Sequence, residues 1–179
     1  MIYFIRHGQT LYNKVGKFQG IKNIPLSRVG IKQAKDAAIK MKDLDIDIIY
    51  SSPLKRTLKT AKIINKYHKK QIIVNNALIE FDVGKNIENK KLKDLPKDIY
   101  KKLYANKNYY GEEDIKKFRN RLKNFLLSLD DSKNILLISH GGVYTQIEYF
   151  KTGKIMDVEI ENCTPIKIDL EGLKNDKQF

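Results

Sequence analysis

Two of the three histidines in this 179-residue chain stand where short apolar runs stop beside glycine. Residues 2–5 (Ile-Tyr-Phe-Ile) end in Arg6-His7-Gly8-Gln9-Thr10, and residues 135–138 (Ile-Leu-Leu-Ile) end in Ser139-His140-Gly141-Gly142. Such runs read as buried strands, and open α/β sheets keep ligands and chemistry at strand ends. Arginine sharpens the reading. The chain holds 30 lysines but only 5 arginines, so each arginine is a choice against the background. Arg6 and Arg56 both belong to the suspected site, and a planar guanidinium grips phosphate or carboxylate bidentately where Lys cannot. Two histidines and a glutamate can also hold zinc, but the usual ligand spacing is absent and a flanking arginine repels the cation.

The elements that must position these residues follow from hydrophobic spacing. After the first strand, a polar loop with Gly20 and Pro25 leads to Ser27, which reads as a helix N-cap. Ala34, Ala37, Ala38 and Met41 recur at helical spacing, predicting a helix to about residue 43. Residues 46–50 predict a second buried strand, and Ser51-Ser52-Pro53 reads as a cap-plus-proline helix start. Leu54, Leu58, Ala61 and Ile64 form the core stripe of that helix, which puts Arg56 in its first turn, off the stripe.

A third strand covers residues 72–74, and a turn at Asn75-Asn76 precedes Leu78-Ile79-Glu80. Residues 85–111 loosen into a partly helical insertion over the sheet. A helix over about 112–129 turns Ile115, Phe118, Leu122, Phe125, Leu126 and Leu129 inward. The 135–138 strand, a helix opening at Gly142 and an edge strand at Ile166, Ile168 and Leu170 complete the pattern. Alternating strands and helices predict a mostly parallel sheet covered on both faces, in one domain over residues 1–179.

Lys plus Arg number 35 against 21 Asp plus Glu, a net charge of +14. That balance favours anionic partners such as phosphorylated metabolites, nucleic acid or a membrane surface. Abundant Lys, Asn and Ile throughout also fit a compositional bias of the genome. No recognised nucleic-acid-binding motif is present, and no apolar run reaches membrane-spanning length. The sequence enters a strand without a charged leader or cleavage site, so the expected location is cytoplasmic. The lone Cys163 cannot form an internal disulfide, which agrees with a reducing compartment.

The ordered blocks resemble the histidine phosphatase superfamily, the phosphoglycerate-mutase-like fold. Arg6-His7-Gly8-Gln9-Thr10 is similar to its signature, and Asn13, Phe18-Gln19-Gly20, Pro25-Leu26-Ser27 and Gly30 to its N-terminal loop and first helix. Ser51-Ser52-Pro53-Leu54 with Arg56, Thr60 and Ala61 resembles its second block. Leu78, Glu80 and Gly84 resemble its acid-bearing loop, Ser139-His140-Gly141-Gly142 its second histidine motif, and Asn162-Cys163-Thr164 the turn before its last strand. The resemblance implies a three-layer α/β/α sandwich with a small lid at about 85–111, no metal and no cofactor.

It also implies roles. A phosphoester repels anionic nucleophiles, whereas a neutral imidazole can form a covalent phosphoramidate and split one hard step into two. His7 is the expected nucleophile. Arg6, Arg56 and His140 are expected to surround the phosphoryl oxygens, with Asn13, Gln19, Gly20 and Gly141 as further substrate contacts. Backbone N–H groups near Gly8 and Gly141 would help if they lie at helix N-termini. Glu80 is the expected general acid, a task that wants a raised carboxyl pKa, with Asp82 in reserve. Read singly, the same residues are duller: His7 and His140 as core histidines, Arg56 as a solvated helix charge, Glu80 as a surface group. His68 reads as part of a wet basic helix end, and Cys163 as a small buried residue.

A mutase of this kind must keep water from a bisphosphorylated intermediate, which its larger relatives are expected to do with a long insertion and an ordered tail. A modest insertion and a short stretch after Leu170 therefore predict hydrolysis of a small phosphorylated metabolite by a monomer or homodimer. Phosphoglycerate mutase, protein phosphohistidine phosphatase and a silent phosphate-binding module are the alternatives. The insertion's lysines, with Tyr100, Tyr104, Tyr109 and Tyr110, suggest a basic, aromatic rim. Such a rim suits a sugar phosphate or a nucleotide-like 5′-phosphate such as α-ribazole phosphate; a solvated lid of biased composition is the equal alternative.

Overall fold

The computed structural model describes residues 1–104, 113–155 and 160–170. Among these residues, five strands form one sheet in the order β3-β2-β4-β1-β5. They are β1 (Ile2–Arg6), β2 (Ile48–Ser51), β3 (Ile72–Val74), β4 (Ile135–Ser139) and β5 (Ile166–Ile168). All neighbours run parallel except β5, which closes the β1 edge antiparallel. The helices are α1 (Leu11–Lys14), α2 (Arg28–Lys40), α3 (Lys55–His68), α4 (Ile99–Tyr104), α5 (Ile115–Leu127) and α6 (Gly141–Thr152).

Strand alternation divides the core into two faces. Leu136 and Ile138 of β4, with Ile5 and Ile49, pack on Ala34, Ala37 and Ala38 of α2 and Ala61 and Ile64 of α3. Ile135 and Leu137, with Phe4, pack on Phe118 and Leu122 of α5 and Val143 and Ile147 of α6. All five β4 residues are buried, as expected of a central parallel strand covered on both sides. Each fully buried Leu or Phe of this set contributes about 1.5–3 kcal/mol of transfer free energy. The architecture is the expected three-layer α/β/α sandwich. No helix among the described residues is long and apolar enough to cross a membrane.

Several boundaries differ from the sequence expectation. Ser51 continues β2, and the Ser52 N–H still donates to the Ile138 carbonyl at 3.1 Å, so the chain stays extended past the expected helix start. α3 opens at Lys55 after Leu54, which makes no side-chain cap bond. β2 begins at Ile48 rather than 46, and α2 stops at Lys40 rather than near 43. Ser27 does cap α2, its Oγ accepting the Gly30 N–H at 3.0 Å. α5 is capped by Asp114, whose Oδ1 accepts from the Lys116 N–H at 2.7 Å; Glu112 lies outside the described residues.

The insertion is anchored rather than solvated as a whole. Ile87, Ile99 and Leu103 join the core under α5 and α6. Its 89–92 stretch exchanges backbone bonds with the α1 loop: Phe18 N–H to Lys90 O at 3.0 Å, Asn89 N–H to Phe18 O at 3.1 Å, and Leu92 N–H to Gly16 O at 2.8 Å. Residues 105–111, including Tyr109 and Tyr110, lie outside the described residues, as does 171–179.

Candidate active site

The β1–β4 register pairs Arg6 with Ser139, which delivers His7 and His140 side by side one step beyond the sheet. The His7 N–H extends the ladder to the Ser139 carbonyl at 3.0 Å. The turn before β5 braces the same stretch: Asn162 Nδ2 donates to the His7 carbonyl at 2.7 Å and the Cys163 N–H to the Arg6 carbonyl at 2.9 Å. The imidazole centroids lie 5.2 Å apart, edge to face.

Arg56 lies between the rings. It is 1 % exposed, so it is no solvated helix charge. Nη1 and Nη2 donate to the carbonyls of Lys22 and Gly20, and Nε faces His7 Nε2 at 3.2 Å and His140 Nδ1 at 3.3 Å. A guanidinium can only donate, so both of those ring nitrogens must be acceptors. The His7 proton is therefore on Nδ1, donated to the Gly8 carbonyl at 2.8 Å, and the His140 proton on Nε2, donated to Ser52 Oγ at 2.8 Å. Burial above all, then the nearby arginine charges, holds both imidazoles well below the ordinary histidine range. At neutral pH both are uncharged.

Glu80 reaches the pocket from the loop after β3. Its Oε1 accepts the Phe81 N–H at 2.9 Å and its Oε2 the Gly142 N–H at 3.2 Å. Burial pushes its carboxyl upward, against the pull of those N–H groups and of Arg56 and Arg6. A Cβ at 142 would collide with Glu80 Oε1 and the Tyr104 hydroxyl, so any other residue there has to push one or both side-chain ends aside. Arg6 donates from Nη1 to the Ile160 carbonyl at 2.7 Å, while its buried Nε has no partner among the described residues.

These groups meet at a cavity of about 370 Å³ whose walls include Arg6, His7, Asn13, Gln19, Gly20, Arg56, Glu80 and Gly141. His140 is brought to the cluster but lies behind Arg56 and His7, fully buried and off the cavity wall. Thr10 fixes both carboxamides, its backbone N–H donating to Asn13 Oδ1 at 3.0 Å and its hydroxyl to Gln19 Oε1 at 2.9 Å. Gly141 opens α6, as the anion-binding expectation requires; Gly8 does not open a helix, and its N–H is spent on Thr60 Oγ1 at 3.1 Å. Asp82 is off the wall, its Oδ1 accepting the Gly84 N–H at 2.9 Å.

From the insertion, Leu92, Tyr100 and Tyr104 line the cavity, whereas Lys90, Lys91 and Lys93 are exposed and do not. Among the described residues of the insertion, the cavity-lining side chains are thus apolar and aromatic, with Phe18 tilted against Tyr100 at 5.6 Å between ring centres; the lysine on the wall is Lys17, ahead of the insertion. His68 closes α3, about 18 Å from Arg56 at 1.5 Å per helical residue, its ring half-buried. Burial raises the Cys163 thiol to about 12, which leaves it a packed, protonated core group. Sequence reasoning missed Ser52 as the His140 acceptor, because a serine before proline reads as a helix cap. It also passed over Arg121, whose guanidinium donates to the Ile79 and Glu80 carbonyls beside the cavity, although the rarity of arginine was the available signal. Among the described residues, no group of three or more His, Cys, Asp or Glu is arranged to hold a metal.

Comparison with known proteins agrees with the geometry. The chain is 30% identical to phosphoserine phosphatase 1 of Hydrogenobacter thermophilus, over 78% of this chain and 69% of that one. It is 25% identical to the 2,3-bisphosphoglycerate-dependent phosphoglycerate mutase of Methanococcus vannielii, over 97% and 92%. The crystal structure of an Entamoeba histolytica phosphoserine phosphatase with 3-phosphoglyceric acid superposes with a TM-score of 0.77 at 29% identity, covering 92% of this chain and 87% of that one. The sequence profile of the histidine phosphatase superfamily, branch 1, matches residues 2–174, and the chain belongs to that family.

Proposed function

We propose that this protein hydrolyses small phosphomonoesters through a phosphohistidine at His7, without a metal. The observation that carries the reading is the shared Arg56 Nε–H between His7 Nε2 and His140 Nδ1. It supports a nucleophilic lone pair on His7 Nε2, held in orientation by the Nδ1–H bond to Gly8. When a phosphoryl group enters, its oxygens offer Arg56 a better acceptor, and the Nε2 lone pair is released for attack. The unpartnered Arg6 Nε–H and the first turn of α6 at Gly141 supply further donors to the oxygens.

In the first step the Nε2–P bond forms and the P–O bond to the leaving group breaks, with protonated Glu80 giving its proton to the departing alkoxide. In the second, ionised Glu80 takes a proton from water as the water oxygen attacks phosphorus, and His7 is restored with release of inorganic phosphate. Asn13 and Gln19, their carbonyl oxygens engaged by Thr10, can present amide N–H groups to the substrate. His140 acts from behind, as a neutral acceptor that fixes Arg56. Glu80 serves as acid in preference to Asp82, which is tied into its own turn.

Relatives of both names, phosphoserine phosphatase and phosphoglycerate mutase, resemble this chain, and hydrolysis is the reading favoured by a cavity of about 370 Å³, room for a small metabolite and water together. The Phe18, Leu92 and Tyr100 wall suits a compact organic group opposite the phosphate, such as a phosphorylated amino acid, sugar or nucleoside. A buried, unpaired Cys163 fits action in the reducing cytoplasm. The test is a panel of phosphorylated metabolites assayed with chelator, beside His7→Ala. The expected result is phosphate release from a small ester, unaffected by chelator and lost in His7→Ala. Efficient conversion of 3-phosphoglycerate to its 2-isomer with bisphosphate primer would establish the mutase reading instead.

A further inference from the structure

Arg121 lies on α5, off the cavity wall, yet it gathers the loop that carries Glu80. Its Nη1 donates to the carbonyls of Ala77 at 2.6 Å and Asn76 at 3.3 Å, and its Nη2 to those of Ile79 at 2.9 Å and Glu80 at 3.4 Å. Ser139 Oγ, from β4, takes the intervening Leu78 carbonyl at 2.7 Å. Arg121 also grips Glu113, Nε to Oε1 at 2.8 Å and Nη2 to Oε2 at 3.1 Å, and that Oε2 accepts the Asp82 N–H at 3.3 Å. The guanidinium is seated 4.4 Å from the centre of the Phe118 ring. The side chains of Arg121 and Glu113 are thus laced to the main chain on both sides of Glu80.

An exposed ion pair would carry little meaning. Here the side chains are 24% and 20% exposed, and the arginine forks onto main-chain oxygens as well as carboxylate. Lysine, a point charge with a single nitrogen, cannot span those acceptors, and this chain uses lysine nearly everywhere it can. A proton donor on a loop needs such bracing, since general-acid geometry is set within fractions of an ångström.

We propose that the Arg121–Glu113 pair is the positioning device of the general acid, holding residues 76–82 so that the Glu80 carboxyl meets the leaving-group oxygen. This rests on the reading of Glu80 as the acid. The consequence is dependence on the leaving group: an alkoxide needs the proton, whereas nitrophenolate leaves unaided. kcat/KM isolates the step, because it contains nothing after phosphorylation of His7.

The experiment compares kcat/KM for phosphoserine and glycerol 2-phosphate with that for p-nitrophenyl phosphate in Arg121→Lys, Glu113→Gln and Glu80→Gln, each checked for folding by thermal melt. Arg121→Lys and Glu113→Gln are expected to lose about tenfold or more on the alkyl esters and less than about threefold on the nitrophenyl ester, a milder copy of Glu80→Gln. Equal losses on both ester types, or no loss, would overturn the proposal. If Glu80→Gln is selective and the other two are not, the positioning role alone fails. If Glu80→Gln is itself indifferent to the leaving group, the acid assignment fails and the positioning role with it.

Discussion

The Gly142 amide reaches the Glu80 carboxylate at 3.2 Å across 62 residues of sequence. One end of that bond is the second residue of α6; the other is the proposed proton donor. The approach depends on a missing side chain, since a Cβ at 142 would overlap Glu80 Oε1 and the Tyr104 hydroxyl.

Gly142→Ala should therefore displace Glu80. Overpacking of this kind costs about 1–3 kcal/mol, read as a lower melting temperature. Activity on an alkyl phosphomonoester should fall by about tenfold or more. Retention of both wild-type values would show that the loop moves aside freely.

Arg56 tests the anion pocket. Arg56→Lys keeps the charge but cannot reach the Gly20 and Lys22 carbonyls and both imidazoles at once. Its kcat/KM should drop by about 10²–10³. Arg56→Ala also strands buried carbonyls, each at about 1–3 kcal/mol, so its melting temperature should fall further.

The activity profile should be bell-shaped. The proposed phosphorylation needs His7 neutral and Glu80 protonated, and burial moves His7 below its usual range and Glu80 above. So kcat/KM should rise with pH through the depressed His7 value and fall through the raised Glu80 value. In Glu80→Gln the alkaline limb should vanish for an alkyl ester; its persistence would assign that limb to another group.

Stability should carry the opposite signatures of these groups. The folded pKa of Glu80 is raised above 4.5, so its favourable contribution is complete below that pH and disappears as pH rises through the folded value. Glu80→Gln should thus melt higher than wild type at neutral pH. The folded pKa values of His7 and His140 are depressed, so their contribution is complete above 6.5 and is lost as pH falls toward the folded values. Melting temperature should decline on acidification from 6.5, less steeply in His140→Gln.

Much of the fold was legible because period and burial coincide. The runs ending at Arg6 and Ser139 are apolar on both faces, as central parallel strands must be, and Ala34, Ala37 and Ala38 mark the face α2 turns to the sheet. Boundaries were less legible where a local signal competed with pairing. Ser51-Ser52-Pro53 has cap chemistry, yet bonds from Ser52 to Ile138 and from Asn75 to Ser51 hold the backbone in the sheet. The insertion was the hardest stretch, because its abundant lysines masked the few residues, Ile87, Ile99 and Leu103, that anchor it.

The one-dimensional chain already contained the chemistry: two histidines after apolar runs, two scarce arginines and a carboxylate near a strand end. Residue type and spacing suffice for that, since they reflect what each side chain can do and which strand it follows. Which atom of each group faces the cavity or a neighbouring group was decided by the tertiary arrangement alone. Tautomers, the shared Arg56 proton, the withdrawal of His140 behind the wall and the Arg121 brace all arise from contacts between segments far apart in sequence. Hydrogen bonds and desolvation depend on distances of a few ångströms in space, which no local pattern encodes.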